Sequence, residues 1–120
     1  MEQFKLGEME GKLAQLIWDH QPLSTRELTE RCQQAFDWKR TTTYTMLKRL
    51  CDRALFANRD GKVVALMSRE DFQAAQGEQF VEETFGGSLP LFMAAFTRRK
   101  KLSKQEAEEL RRLIDAYEEE

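Results

Sequence analysis

Cysteine and histidine are scarce in this chain of 120 residues, which contains two cysteines and one histidine. Cys32 and Cys51 do not have the spacing of paired metal ligands, and two cysteines are too few for a disulfide scaffold, so zinc ribbons and disulfide-built domains are excluded. His20 alone cannot build the usual histidine metal site or a catalytic triad. The sequence also lacks a phosphate-binding loop and a nucleophile elbow. We therefore predict that the protein is not an enzyme and uses no metal and no cofactor.

Glycine, proline and long apolar runs are also scarce. The chain has six glycines and two prolines, while 41% of its residues are hydrophobic and 33% are charged. This balance is typical of a folded, helix-rich, soluble domain. No apolar run approaches the roughly 20 residues that a membrane helix needs, and the first residues lack the apolar stretch of a secretory signal. The sequence thus predicts a cytoplasmic protein with no membrane partner.

Charge is unevenly distributed along the chain, although the net charge is only −2. Residues 38–62 carry seven basic and two acidic side chains, whereas residues 1–37 and 63–120 each carry more acids than bases. A basic segment between acidic flanks favours one surface that faces an anionic partner. Random clustering of charge on a solvated surface is the alternative interpretation.

Two helices are predicted in the first third of the chain. Apolar residues at helical spacing, such as Met9 and Leu13, predict a helix over about residues 6–20. Ser24 and Glu27 have the spacing of a capping box, in which a hydroxyl and a carboxylate bond free backbone N–H groups of the first turn. The second helix is therefore expected to follow Ser24 and to end near residue 35.

The third predicted helix, residues 40–53, has two different faces. One face is mainly apolar and is expected to pack inward. The other carries cations, hydroxyl groups and a phenol, which suit phosphates and base edges; it consists of Arg40, Thr41, Tyr44, Thr45 and Lys48. A plain solvated face is the alternative, but such faces usually mix glutamate with lysine, and this one has no acid before Asp52.

A β-hairpin is predicted after the third helix. Asp60-Gly61 separates two short apolar runs, and this dipeptide between strand-like runs is a strong hairpin signal. Arg59 and Lys62 would then lie at the tip.

From residue 69 onward the pattern is helical, and it contains many large apolar residues for so short a segment. A domain this small commonly needs oligomerisation to complete its core. We therefore predict a winged-helix domain over 1–68 and a helical dimerisation domain over 69–120. The predicted interface residues are Phe80, Phe85, Leu91, Phe92, Phe96, Leu110, Leu113 and Ile114.

Three helices followed by a two-stranded hairpin form the winged variant of the helix-turn-helix, so the predicted fold is mainly α with a small β-hairpin. In helix-turn-helix proteins the second helix of the motif enters the major groove, and dimers bind two half-sites. Residues 40–53 would be this recognition helix and residues 59–62 the tip of the wing. Basic groups would supply salt-dependent affinity, while the threonines and the tyrosine would lie near base edges.

The segment 37–50, DWKRTTTYTMLKRL, resembles the recognition-helix signature of the penicillinase and methicillin-resistance repressor family, which includes copper-responsive members. The resemblance extends over almost the whole chain, with weaker matches at Phe85-Gly86-Gly87 and around the start of the last helix. It implies a homodimeric winged-helix repressor that binds palindromic, double-stranded operator DNA. The family's DNA-contacting positions would fall on Thr41, Thr42, Tyr44, Thr45 and Lys48, with Arg40, Arg59 and Lys62 nearby.

The inducing signals of this family transfer less well. In its antibiotic-responsive members, a membrane sensor triggers cleavage at an Asn-Phe bond, but the similar position here is Ala95-Phe96. The copper-responsive members carry a Cys-x-Cys pair near the C-terminus, which this chain lacks. The sequence therefore identifies no upstream sensor or protease.

A winged-helix module that docks onto proteins and has no direct role at DNA is the alternative function.

Two further residues are interpreted structurally. Trp38 is expected to be a packing anchor in front of the third helix, and Cys32 a small core residue.

Overall fold

The computed structural model describes residues 4–118 and shows six helices and a three-stranded sheet within them. The helices are α1 (Glu8–His20), α2 (Thr25–Phe36), α3 (Arg40–Asp52), α4 (Arg69–Phe85), α5 (Leu89–Arg99) and α6 (Lys104–Tyr117). The strands are β1 (Leu23–Ser24), β2 (Phe56–Arg59) and β3 (Lys62–Ala65). This order confirms the predicted fold class, a winged helix followed by a helical C-terminal region.

The first two helices follow from local signals at their N-termini. In α2, the Ser24 hydroxyl accepts a hydrogen bond from the backbone N–H of Glu27 at 3.0 Å, and the Glu27 carboxylate accepts one from the Ser24 N–H at 3.4 Å. The predicted capping box is therefore confirmed. The start of α1 was predicted too early, because Gly7 is extended and caps a helix that begins at Glu8.

The core of the N-terminal half lies between α1, α2, α3 and the sheet. Its fully buried side chains include Leu13, Leu28, Leu50 and Phe56. Met9 was expected on the apolar face of α1, but it is 39% exposed. The buried position in that turn is taken instead by Glu10.

The hairpin is confirmed, with Asp60 and Gly61 at positive φ (53° and 80°), as tight hairpin turns require. Arg59 pairs with Lys62 in the antiparallel register of β2 and β3. The third strand, β1, was not predicted. It pairs with the other side of β3, so that the strand order is β1-β3-β2.

The chain divides into two compact units, one that ends at Gln79 and one that begins at Phe80, within α4. In the first unit, the Trp18 indole N–H donates to the carbonyl of Met67 at 2.9 Å, and Arg69 pairs with Asp19. These bonds attach the first turn of α4 to α1. The predicted boundary between residues 68 and 69 divides a DNA-binding region from a dimerisation region, which is a different criterion from compactness. It stays a prediction.

The second unit contains α5, α6 and the end of α4. Four phenylalanine rings form a contact chain with centroid separations of 5.4–5.9 Å; they belong to Phe80, Phe85, Phe92 and Phe96. Ser88 and Ser103 cap α5 and α6 with their hydroxyl groups. Within the described residues, neither α5 nor α6 has a buried side chain.

Candidate nucleic-acid interface

The sequence of α3 sorts its side chains into a buried face and an exposed face. Thr43, Met46, Leu47 and Leu50 are buried against the first unit's core. The side chains of the predicted polar face are all exposed, and so are Arg49 and Asp52; that polar face consists of Arg40, Thr41, Tyr44, Thr45 and Lys48. Because the apolar face is fixed in the core, the polar face is held outward with little freedom to rotate about the helix axis.

The exposed residues of α3 differ in the hydrogen-bonding groups that they still offer. Tyr44 is 42% exposed, which agrees with its predicted position outside the core. The Thr45 hydroxyl donates to the carbonyl of Thr41 at 2.9 Å, so it presents a methyl group and an acceptor oxygen to a partner. Thr42, which was also predicted to contact DNA, is half-buried and so less accessible than the five residues of the polar face.

Lys48 already has an anionic partner in the free protein. Its Nζ lies 3.2 Å from Oδ2 of Asp52, one helical turn further along α3. Both side chains are mostly exposed, at 79% and 65%. A contact between Lys48 and a DNA phosphate therefore requires that this ion pair opens or is shared.

The tip of the hairpin is held by one side-chain contact and one backbone contact. The Asn58 side-chain oxygen accepts a hydrogen bond from the Gly61 N–H at 3.0 Å. On the other side, the Thr25 N–H donates to the Gly61 carbonyl at 2.9 Å, which joins the tip to the first turn of α2. Arg59 and Lys62 are exposed on either side of this turn.

One cation of the basic segment has a structural position instead. Arg53 Nε lies 3.3 Å from Oε2 of Glu10, and its Nη1 donates to the carbonyl of Lys5 at 2.7 Å. Their side chains are only 25% and 10% exposed. Counting charges in residues 38–62 therefore overstated the cations available to a partner. Helical spacing places Glu10 on the buried face of α1, three residues before Leu13, but it gives no indication that Arg53 is its partner.

The entry to α3 is formed by packed aromatic rings. Trp38 is half-buried, and its ring centroid lies 4.9 Å from that of Phe36, which fits its predicted role as an anchor. Beside these rings is a shallow cleft of about 320 Å³ with both acids and bases in its lining. Asp37 and Arg40 are among these residues, so the lining of the cleft carries both negative and positive charge.

Neither cysteine has the environment of a reactive thiol. Cys32 is fully buried in the core as predicted, and burial raises the pKa of its thiol. Burial also raises the pKa of the half-buried Cys51. Among residues 4–118, no group of three or more histidine, cysteine, aspartate or glutamate side chains could hold a metal ion.

In the second unit, the predicted interface residues leave much apolar surface open. Leu91, Leu113 and Ile114 are 55%, 54% and 60% exposed, and Phe80 and Phe96 are 50% and 42% exposed. The other three residues of the set, Phe85, Phe92 and Leu110, are half-buried. Two grooves between α5 and α6, of about 510 and 540 Å³, are lined mainly by such side chains. The assignment of these residues to a dimer interface stays a prediction.

The fold of the first unit and its outward polar helix define a winged helix-turn-helix protein. The chain matches the family model described as penicillinase repressor over residues 6–116. It is 23% identical over 117 residues to the penicillinase repressor of Bacillus licheniformis, covering 94% of this chain and 91% of that protein. It is 22% identical over 116 residues to the methicillin resistance regulatory protein MecI of Staphylococcus aureus, covering 93% and 94% of the two chains.

The chain therefore belongs to the penicillinase repressor family. This confirms the family resemblance, and it places the protein among regulators of transcription and not among enzymes. Across residues 4–118, no helix combines the length and the apolar character needed to span a bilayer.

Proposed function

We propose that the protein is a homodimeric transcriptional repressor that binds palindromic operator DNA with the exposed face of α3 and the tip of the hairpin. The observation that carries the proposal is the polar face of α3. It combines cations, hydroxyl groups and a phenol on a helix whose opposite face is buried. A helix of this kind fits the major groove, where side chains reach base edges.

The exposed side chains divide into two roles. Arg40, Lys48, Arg59 and Lys62 would contact phosphates, which gives affinity that depends on salt but carries no sequence information. The neutral residues of α3 would read base edges. Tyr44 can donate or accept a hydrogen bond, and the methyl groups of Thr41, Thr42 and Thr45 can contact thymine methyls.

The second unit supports the dimeric part of the proposal. Its helices expose several large apolar side chains close together. Single exposed apolar residues are normal on a protein surface, but a contiguous apolar patch marks an interaction site. Two copies joined by α5 and α6 would present two copies of α3. A two-fold symmetric dimer reads inverted half-sites, which is why a palindromic operator is expected. The named relatives are repressors or regulatory proteins, which agrees with this function.

The first experiment is selection of bound duplexes from a random pool, followed by affinity measurements at several salt concentrations. We expect two inverted half-sites to emerge and the affinity to fall steeply as salt rises. If no duplex binds at moderate salt, the protein-docking alternative replaces the proposal.

The second experiment tests the assignment of α3. Replacing Tyr44 and Thr45 together with alanine should weaken binding to the selected operator by about tenfold or more, since a good base contact contributes about 1–3 kcal/mol of discrimination. Binding to random duplex should change little, because it depends on phosphates. The matched control is Gln33→Ala, an exposed residue of α2. Equal losses on both duplexes would contradict the base-reading role of this face.

A further inference from the structure

Asp52 is the one acidic residue in the sequence of α3, and it lies against a cation that the proposed function needs. Its Oδ2 is 3.2 Å from Nζ of Lys48. The rest of the exposed face is neutral or basic. A lone carboxylate at this position on a helix proposed to meet a polyanion calls for a physical explanation.

Folding stability does not explain Asp52. The residue lies in the last turn of α3, where the negative end of the helix dipole disfavours an anion. A lysine that precedes its acidic partner by four residues is also the less favourable orientation of such a pair. With 79% and 65% of the two side chains exposed, solvent screens most of their attraction.

DNA binding gives the carboxylate a specific effect. When Lys48 moves to a phosphate, a DNA counterion is released, which favours binding at low salt. The Asp52 carboxylate loses its ammonium partner at the same time and attracts a cation from solution. Release and uptake offset each other, so this contact adds less affinity and less salt dependence than an unpaired lysine would.

We propose that Asp52 is a positioning residue that restrains DNA affinity by holding the ammonium group of Lys48 away from phosphate. The inference rests on the proposed function. Its effect passes through Lys48, so it applies to operator and random duplexes alike. It sets how tightly the protein holds any DNA, whereas the neutral residues of α3 set which sequence is preferred.

The test compares wild-type protein with Asp52→Asn, which removes the charge and keeps the shape. We expect Asp52→Asn to bind the selected operator about two- to fivefold more tightly at low salt, the range that an exposed ion pair can account for. The slope of log affinity against log salt should steepen by up to about one unit, since one phosphate contact corresponds to a slope of about 0.9. Asp115→Asn, which makes the same charge change on α6, serves as the control for net charge.

A double-mutant cycle separates a route through Lys48 from direct repulsion between Asp52 and DNA. In a Lys48→Met background, the gain from Asp52→Asn should fall to less than half of its value. In the Asp52→Asn background, Lys48→Met should reduce the slope of log affinity against log salt by close to one unit. In the wild-type background the same substitution should reduce this slope by clearly less. An equal gain in both backgrounds, or no gain at all, would overturn the inference. Failure of the wild-type protein to bind any duplex would instead overturn the proposed function.

Discussion

At the scale of single residues, the partner of each cation decides what that cation can do. Arg53 lies in the most basic part of the sequence, yet its guanidinium group pairs with Glu10 and bonds the carbonyl of Lys5. Lys48 forms a solvent-exposed ion pair with Asp52 of the same helix. Arg40, Arg59 and Lys62 are exposed. Neighbouring charges in a sequence therefore have different roles, which only their contacts reveal.

The Arg53 pair gives a prediction about stability. Replacing Arg53 with methionine keeps most of the side-chain volume but leaves the mostly buried Glu10 carboxylate without its ion pair. We expect the free energy of unfolding to fall by about 1–3 kcal/mol, the usual cost of an unpartnered buried polar group. Urea denaturation of the wild type and the variant measures this difference in the free energy of unfolding.

Two further measurements make this prediction specific. Adding Glu10→Gln to the Arg53→Met variant should recover part of the loss, because the buried charge is then absent. The salt dependence of duplex binding should stay unchanged in Arg53→Met, since Arg53 is not assigned to a phosphate. A shallower salt slope would show that Arg53 contacts DNA after all.

At the scale of elements, the sequence predicted best where the determining contacts are local. The hydroxyl of Ser24 accepts a hydrogen bond from the backbone N–H three residues away, and Asp60-Gly61 forms a turn within four residues. Such contacts depend on neighbours in the sequence, so spacing alone reveals them.

Elements that depend on distant partners were missed. The strand β1 has two residues, and it exists because Leu23 and Ser24 pair with Val63 and Lys62. No local pattern indicates this pairing. The same limit applies to the site. The amphipathic pattern placed Tyr44 and the other α3 residues outward, but it could not show that Arg53 is bonded to the first helix.

The capping box of α6 gives a prediction about pH. Hydrogen bonds from the backbone N–H and the hydroxyl of Ser103 lower the pKa of the Glu106 carboxyl. A lowered pKa in the folded state means that this interaction stabilises α6 above the carboxyl's ordinary pKa and is lost as pH falls through the folded value. Below both pKa values, the charged cap contributes nothing.

Replacing Ser103 with alanine removes the hydroxyl but keeps the backbone N–H. We expect the pKa of Glu106 to rise part of the way toward its ordinary value, as measured by an NMR titration of its side-chain carboxyl carbon. Ser88→Ala is the matched control, because this hydroxyl caps α5 and not α6. A Glu106 pKa that is unchanged in Ser103→Ala would show that the hydroxyl does not contact the carboxylate in solution.

At the scale of the whole molecule, the two units differ in how well they bury their apolar side chains. The first unit encloses large residues such as Phe56 and Leu50 completely. The second unit leaves Leu113 and Ile114 more than half exposed on the last helix. The proposed function, with two copies of α3 on one operator, would need a fixed connection between two copies of the chain. The open apolar face of the second unit is the surface that can supply it.

This face gives the last prediction. Wild-type protein should have twice the 14.1 kDa mass of one chain in sedimentation equilibrium, whereas Leu113→Asp should sediment as a monomer because it places an unpaired charge in an apolar interface. The matched control is Arg112→Asp, an exposed position of α6 that lines neither groove and faces away from Leu110 and Ile114, and this variant should remain dimeric. Leu113→Asp should also bind a full operator no more tightly than a single half-site, since the linked second contact is lost. A dimeric Leu113→Asp variant, or a monomeric wild-type protein, would show that α6 does not join the two copies.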